Sequence, residues 1–280
     1  MDYVYHLLEI IFPFEFMQYD FMKNAFIAIL LVTPLFAVIG TMVVNSRLAF
    51  FSDALGHSAI TGIAIGTIFG LNNPVFSMIG FAIVFALLLS YVKEKDNSSE
   101  DTLISVFSSA AIAAGLVLLS GSGNFSAYSS YLVGDILSVT KEDLLFIAVS
   151  FVLVLIIWHF IYNNFLIISV NPSMARSKNI NVKFFENVFL VLVAVVVTVS
   201  IKLIGILVIN SLLIIPCAAA KNFAKSMRSY QNISAAIGLL SGILGLLLSY
   251  FFNTAAGPTI VLISAVFFFV SVVFKSVRRI

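Results

Sequence analysis

Of the thirteen carboxylates in this 280-residue chain, only Asp53 lies well inside an apolar run, SRLAFFSDALGHSAITGIAIG, and His57 follows four residues later. On a helix that spacing stacks both side chains on one face, one turn apart, where a carboxylate oxygen and an imidazole nitrogen can approach the same cation. A charged Asp at membrane depth costs about 2.5–3.5 kcal/mol on insertion scales, so it is expected to face a cavity or a partner. Three chemistries fit. The pair can be structural, with Asp53 bonded to a neighbouring helix and His57 as its local partner. It can relay protons in a secondary transporter. Or it can offer an oxygen and a nitrogen to zinc, manganese or iron, with so few ligands that the ion can leave again. Two ligands are too few for a tight structural zinc site, and spacing alone does not separate the relay from the metal path.

Other polar residues carry weaker signals. Cys217, in LLIIPCAAA, adjoins Pro216, which interrupts the hydrogen-bond ladder of its helix and can expose a carbonyl to a pathway. It is a candidate third metal ligand, set against the packing role usual for a lone membrane cysteine. Being the only cysteine, it excludes an internal disulfide framework and a cysteine-cluster metal site. Asn210 suits a hydrogen bond between helices. His159 stands beside Trp158 and Tyr162, a composition typical of an interfacial belt. His6 lies in the amino-terminal segment and has no assigned role.

The elements that must position these residues follow from composition. Hydrophobic residues make up 61% of the chain and charged residues 10%, with a mean hydropathy of +1.12. Ordinary soluble domains have about 45–50% and 25%. Such a chain cannot cover its apolar surface in water and is an integral membrane protein with no room for a soluble catalytic domain. Apolar runs near 21–44, 48–70, 74–92, 102–120, 144–162, 186–201, 203–220, 231–252 and 256–275 predict an all-α, polytopic protein with about 8–9 transmembrane helices. The sixth and seventh runs are separated only by Lys202, which leaves two short helices, one broken helix, or a span with a re-entrant piece. Stretches such as LLFIAVSFVLVLIIW are apolar on every side, unlike the alternating strands of a membrane barrel.

Residues 1–20 carry Asp2, Glu9, Glu15 and Asp20 without a Lys or Arg, which predicts an outer interfacial segment rather than a signal peptide. Residues 21–280 then form one transmembrane domain. With the amino terminus outside and nine spans, twelve of the fifteen basic residues fall inside and only Lys23, Lys141 and Lys202 outside, which places the carboxyl terminus in the cytoplasm. Gly62, Gly66 and Gly70 recur every four residues, as do Gly238 and Gly242, and offer smooth faces for close helix packing.

Nothing matches the GxxxxGK[ST] loop that cradles nucleotide phosphates, so the chain is not expected to hydrolyse ATP by itself. The longest inner loop contains NPSMARSK, which predicts a short cytoplasmic helix within about 170–183, with Asn171 as cap, Pro172 at its first position, and Arg176 and Lys178 near its end. It can be a docking element or simply a solvated basic loop.

Taken together, these residues resemble the permease subunits of ATP-binding-cassette importers for zinc, manganese and iron. The resemblance runs from about residue 25 to the carboxyl terminus. It rests, in order, on RLAFFSDALGHSAITGIAIG, YLVGDILSVTKEDLL, NPSMARSKNINV and KLIGILVINSLLIIPCAAAKNFA. It implies a homodimer in the cell membrane of a bacterium, with separate cytoplasmic ATPase subunits below and an extracytoplasmic metal-binding protein above. No tightly bound cofactor and no nucleic acid partner are expected. It assigns Asp53 and His57 to the metal path, and Asn171, Pro172, Ala175, Arg176 and Asn179 to the ATPase contact. The family commonly has Asp where Asn171 stands and Gly where Asn179 stands; Asn can cap a helix and adopt a left-handed conformation, so both replacements can keep the geometry. The IIPCAAAKNFA stretch leans toward the zinc branch. A proton-coupled secondary transporter without an ATPase, and a non-transporting scaffold, are the competing readings.

Overall fold

Each apolar run becomes a helix, because a backbone without water must satisfy its own hydrogen bonds. The computed structural model describes residues 5, 6, 9, 15–71, 73–96, 98–122, 131, 134 and 136–278. Among them are ten α-helices: α1 (Asp20–Asn45), α2 (Ala49–Ile68), α3 (Pro74–Lys95), α4 (Glu100–Ser122), α5 (Lys141–Val170), α6 (Pro172–Ser177), α7 (Val182–Ile204), α8 (Ile206–Lys221), α9 (Met227–Phe252) and α10 (Ala256–Arg278). Short 3-10 turns occupy Glu15–Gln18 and Ile136–Ser138. Nine of the helices are long and stand at the nine apolar runs. Seven of them, α1, α3, α4, α5, α7, α9 and α10, are long and apolar enough to cross a membrane. The other two are α2, whose apolar run is interrupted by Asp53 and His57, and α8, which has 16 residues.

Those two exceptional helices lie at the centre. α2 packs against α3, α4, α7 and α8, whereas α8 packs against α1, α2, α7, α9 and α10. Small residues permit the close approach. A Cβ at Gly62 would lie 2.6 Å from the Met78 Cα of α3, and one at Gly115 of α4 would lie 2.7 Å from the Thr61 hydroxyl. Gly66 meets the Ser77 side chain, and Gly242 of α9 meets Ile29 of α1 at 2.5 Å. Gly70 is different from its predicted packing role. It has φ +66° and nothing within 4 Å of a built Cβ, and it ends α2: Leu71 N–H donates to Gly66 O at 2.9 Å and Gly70 N–H to Thr67 O at 3.0 Å.

The join between the sixth and seventh runs resolves into two helices that meet at Gly205, not at Lys202. Gly205 has φ 85° and ψ 155°, a conformation open to glycine, and Gly134 packs on it so closely that Gly134 has no room for a side chain. Lys202 is within α7, and its Nζ reaches Asp143 Oδ1 at 2.6 Å. Caps define other starts. Thr140 and Asp143 form a reciprocal capping box at α5, and Asn73, Asn181 and Ser226 accept backbone N–H groups at α3, α7 and α9.

Near the amino terminus Lys23 is buried and ion-paired with Glu9 at 2.6 Å and Asp20 at 3.7 Å. The Tyr5 hydroxyl donates to Asn24 Oδ1, and Asn24 Nδ2 donates to Val139 O at 2.8 Å.

Candidate functional site: a metal path and a docking helix

Asp53 and His57 occupy the first turns of α2, with Asp53 Oδ1 3.7 Å from His57 Nε2. That is longer than a hydrogen bond, yet short enough for both atoms to lie about 2.0–2.2 Å from one ion. Their side chains are 54% and 33% exposed on the single chain. The neighbouring positions on α2 point the other way. Ser52 and Ser58 are buried and donate to Ala49 O at 2.8 Å and Leu55 O at 3.0 Å, and Gly56 faces Ile206 and Ile209 of α8. The open stripe therefore runs through Phe50, Asp53, His57 and Ile60, at the i, i+3, i+7, i+10 spacing of one helix face. Elsewhere α2 is enclosed. A carboxylate presented outward from an otherwise apolar bundle calls for a polar cover.

Cys217 is not brought to this pair. It is buried on α8, with its Sγ 2.9 Å from Ser234 Oγ of α9, in contact with the Gly40 position of α1. No group of three His, Cys, Asp or Glu suited to a metal gathers among the described residues. The Asn210 side chain lies outside the described residues. Trp158 departs from the interfacial-belt reading: it is buried, and its ring packs on Tyr162, Phe165 and Phe189 at 5.6, 6.1 and 5.6 Å, while His159 beside it is exposed.

The short helix read from NPSMARSK is present as α6. Asn171, in extended conformation before Pro172, ends α5, and its Oδ1 accepts from Ser173 N–H at 3.0 Å and Met174 N–H at 3.2 Å. Asn179 has φ 57°, and Ile180 N–H returns to Ala175 O at 3.1 Å. Asn171 thus caps the helix and Asn179 takes the left-handed conformation, both within the reach of Asn. Asn171, Pro172, Arg176 and Asn179 are exposed, whereas Ala175 is fully buried and supports the helix from beneath.

Behind α6 is a cavity of about 400 Å³, walled by Pro172 and Arg176, by Ser46, Leu48 and Phe51 at the α1–α2 turn, and by the ends of α3, α4, α5 and α7. Ion pairs Lys93–Glu100 and Lys183–Glu94, each 2.5 Å, fasten its rim. Asn45 Nδ2 donates to Ser169 Oγ at 3.2 Å, tying the end of α1 to the end of α5. The short helix α6 and the start of α2 therefore line one cavity. Sequence reading missed this cavity, since its charged residues come from separate helix ends and carried no spacing signal.

The sequence profile of the ABC 3 transport family matches residues 18–275. The chain belongs to that family. It is 34% identical over 243 residues to the high-affinity zinc uptake system membrane protein ZnuB of Haemophilus influenzae, covering 86% of this chain and 92% of that protein. It is 30% identical over 258 residues to the manganese transport system membrane protein MntC of Listeria monocytogenes, covering 92% of each. The solved structure of PsaBC from Streptococcus pneumoniae in complex with Fab matches with a TM-score of 0.82 at 26% identity, over 97% of this chain and 95% of that one. The resemblance to metal-importer permeases is borne out, and the fold is that of a multi-pass membrane subunit of the ABC 3 transport family.

Proposed function

We propose that two copies of this chain form the membrane path of an importer that brings a divalent metal ion into the cytoplasm. Asp53 and His57 line that path. A separate ATPase engages α6 through Asn171, Pro172, Arg176 and Asn179, with Ala175 holding the helix in place. An extracytoplasmic binding protein delivers the ion. The amino terminus lies outside and the carboxyl terminus inside, in keeping with the partition of basic residues.

The observation that carries the reading is the Asp53–His57 pair on the one open face of α2, in a chain of this family. The carboxylate offsets part of the desolvation of a dication, and the neutral imidazole supplies a nitrogen donor. Two donors hold an ion loosely, as a path requires. An imidazole donor favours zinc as the cargo over the harder manganese, with manganese and iron as the alternatives. The zinc and manganese relatives named above bracket that choice.

The test is uptake per inserted molecule. Asp53→Asn keeps size and hydrogen bonding but removes the charge, and His57→Leu keeps bulk but removes the nitrogen. Both should drop metal uptake to background with the protein still in the membrane. Near-wild-type uptake by Asp53→Asn refutes the site. In the purified assembly, zinc should stimulate ATP hydrolysis more than manganese or iron. Metal uptake driven by a proton gradient without any ATPase would instead establish the secondary-transporter reading.

A further inference from the structure

After Glu186 the chain has no carboxylate side chain through residue 280, while it has seven basic residues. The fold gathers four of them at one corner, where the end of α8, the start of α9 and the end of α10 meet. Lys221, Lys225 and Arg228 are exposed, and Lys275 is half-buried. Asn222 organises the corner: its Oδ1 accepts from Lys275 Nζ at 2.9 Å and its Nδ2 donates to Ser271 Oγ at 2.9 Å. The Phe223 and Phe274 rings pack beside it at 5.6 Å. None of the four cations is in an ion pair among the described residues, in contrast to Lys93 and Lys183 at the cavity rim, which are each paired with a Glu.

The corner continues into an apolar wall. Along α10, Val261, Ala265, Phe268 and Val272 stand at i, i+4, i+7 and i+11, with Lys275 at i+14; the first three are half-buried and Val272 is exposed, so one apolar stripe leads to Lys275. α10 is the least buried of the seven apolar helices and packs chiefly on α8 and α9.

We propose that this corner is a binding site for an anionic phospholipid. The headgroup phosphate sits among Lys221, Lys225, Arg228 and Lys275, and the acyl chains lie along the α10 stripe. Cations without counter-charges at the rim of a lipid-facing helix attract anionic headgroups. An acidic protein surface would meet the cations but leave the stripe unused; a phospholipid uses both. The site is independent of the metal path.

The test is native mass spectrometry of the full chain in mild detergent, titrated with phosphatidylglycerol or phosphatidylcholine of matched acyl chains. The wild type should retain phosphatidylglycerol at least about tenfold better, consistent with about fivefold for each cation near the headgroup. A variant carrying Lys221→Gln, Lys225→Gln and Arg228→Gln, all exposed and without side-chain partners that shape the fold, should lose that preference. Adding Lys275→Gln should remove what is left. A control with Lys93→Gln and Lys183→Gln should keep it. Equal retention of the two lipids by the wild type overturns the proposal, as does an unchanged preference in the triple variant. Displacement of the lipid by millimolar inorganic phosphate also overturns it, since the site would then take the free anion. Loss of ATPase co-purification with lipid preference intact assigns the corner to the partner protein instead.

Discussion

At the scale of single residues, the contrast between Asp53 and Cys217 is decisive. Both are polar or reactive groups in apolar helices, but Asp53 opens outward with His57 whereas Cys217 is sealed between α1 and α9 against Ser234. Burial in an apolar setting makes a thiol a packing group. Cys217→Ala should therefore keep metal uptake per inserted molecule. Its expected effect is on stability, about 1 kcal/mol from the lost contact and the unpartnered Ser234 hydroxyl, read as a lower thermal midpoint. Loss of uptake in folded Cys217→Ala would restore the thiol as a ligand.

At the scale of elements, α6 depends on its two ends. Asn171 satisfies two amides that a six-residue helix cannot satisfy internally, and Asn179 takes the left-handed turn that returns Ile180 to Ala175. Asn171→Ala should cost about 1 kcal/mol of local helix stability and weaken association with the ATPase subunit. Arg176→Glu reverses an exposed charge and should weaken it further. Co-purification with the ATPase measures both, and unchanged recovery of the Arg176→Glu variant excludes α6 as the contact. Ala175 is not a fair contact probe, because a Glu at that buried position would disrupt α6 itself. The α1–α2 turn belongs to the same device: Arg47 adopts φ 60° there, a left-handed conformation that costs a non-glycine residue about 1–2 kcal/mol. The cavity lined by that turn and by Pro172 and Arg176 brings α6 and the start of α2 together.

At the scale of the whole molecule, the open stripe of α2 asks for a second copy. A single chain leaves Phe50, Asp53 and Ile68 exposed on one face of a helix whose positions from Phe51 to Ala64 are otherwise mostly buried in its own bundle. Two chains related by a twofold axis can cover both stripes and place two Asp–His pairs around one path. A single cysteine at Phe50, introduced with Cys217→Ala, should cross-link two copies in membranes under mild oxidation. Ile60→Cys serves as a second position on the same face. Only monomer at both positions would put the path within one chain and away from α2's outer face.

Local properties of the sequence determined the apolar helices and the cap at Asn171. Apolar runs of about 20 residues must become hydrogen-bonded helices in lipid, and Asn171 before Pro172 is a local start signal for a helix. The i, i+4 spacing of Asp53 and His57 likewise fixed their shared face. Tertiary structure alone decided which side of α2 stays open, because that depends on where α3, α4, α7 and α8 pack. It set the helix break at Gly205 rather than Lys202, where φ 85° and ψ 155° suit only glycine and Gly134 packs without room for a Cβ. It also separated Cys217 from the Asp53–His57 pair and built a cavity from helix ends distant along the chain. Hydrogen bonds to near neighbours are written in order along the chain; burial and charge pairing depend on which distant helices meet, and that is settled only when they pack.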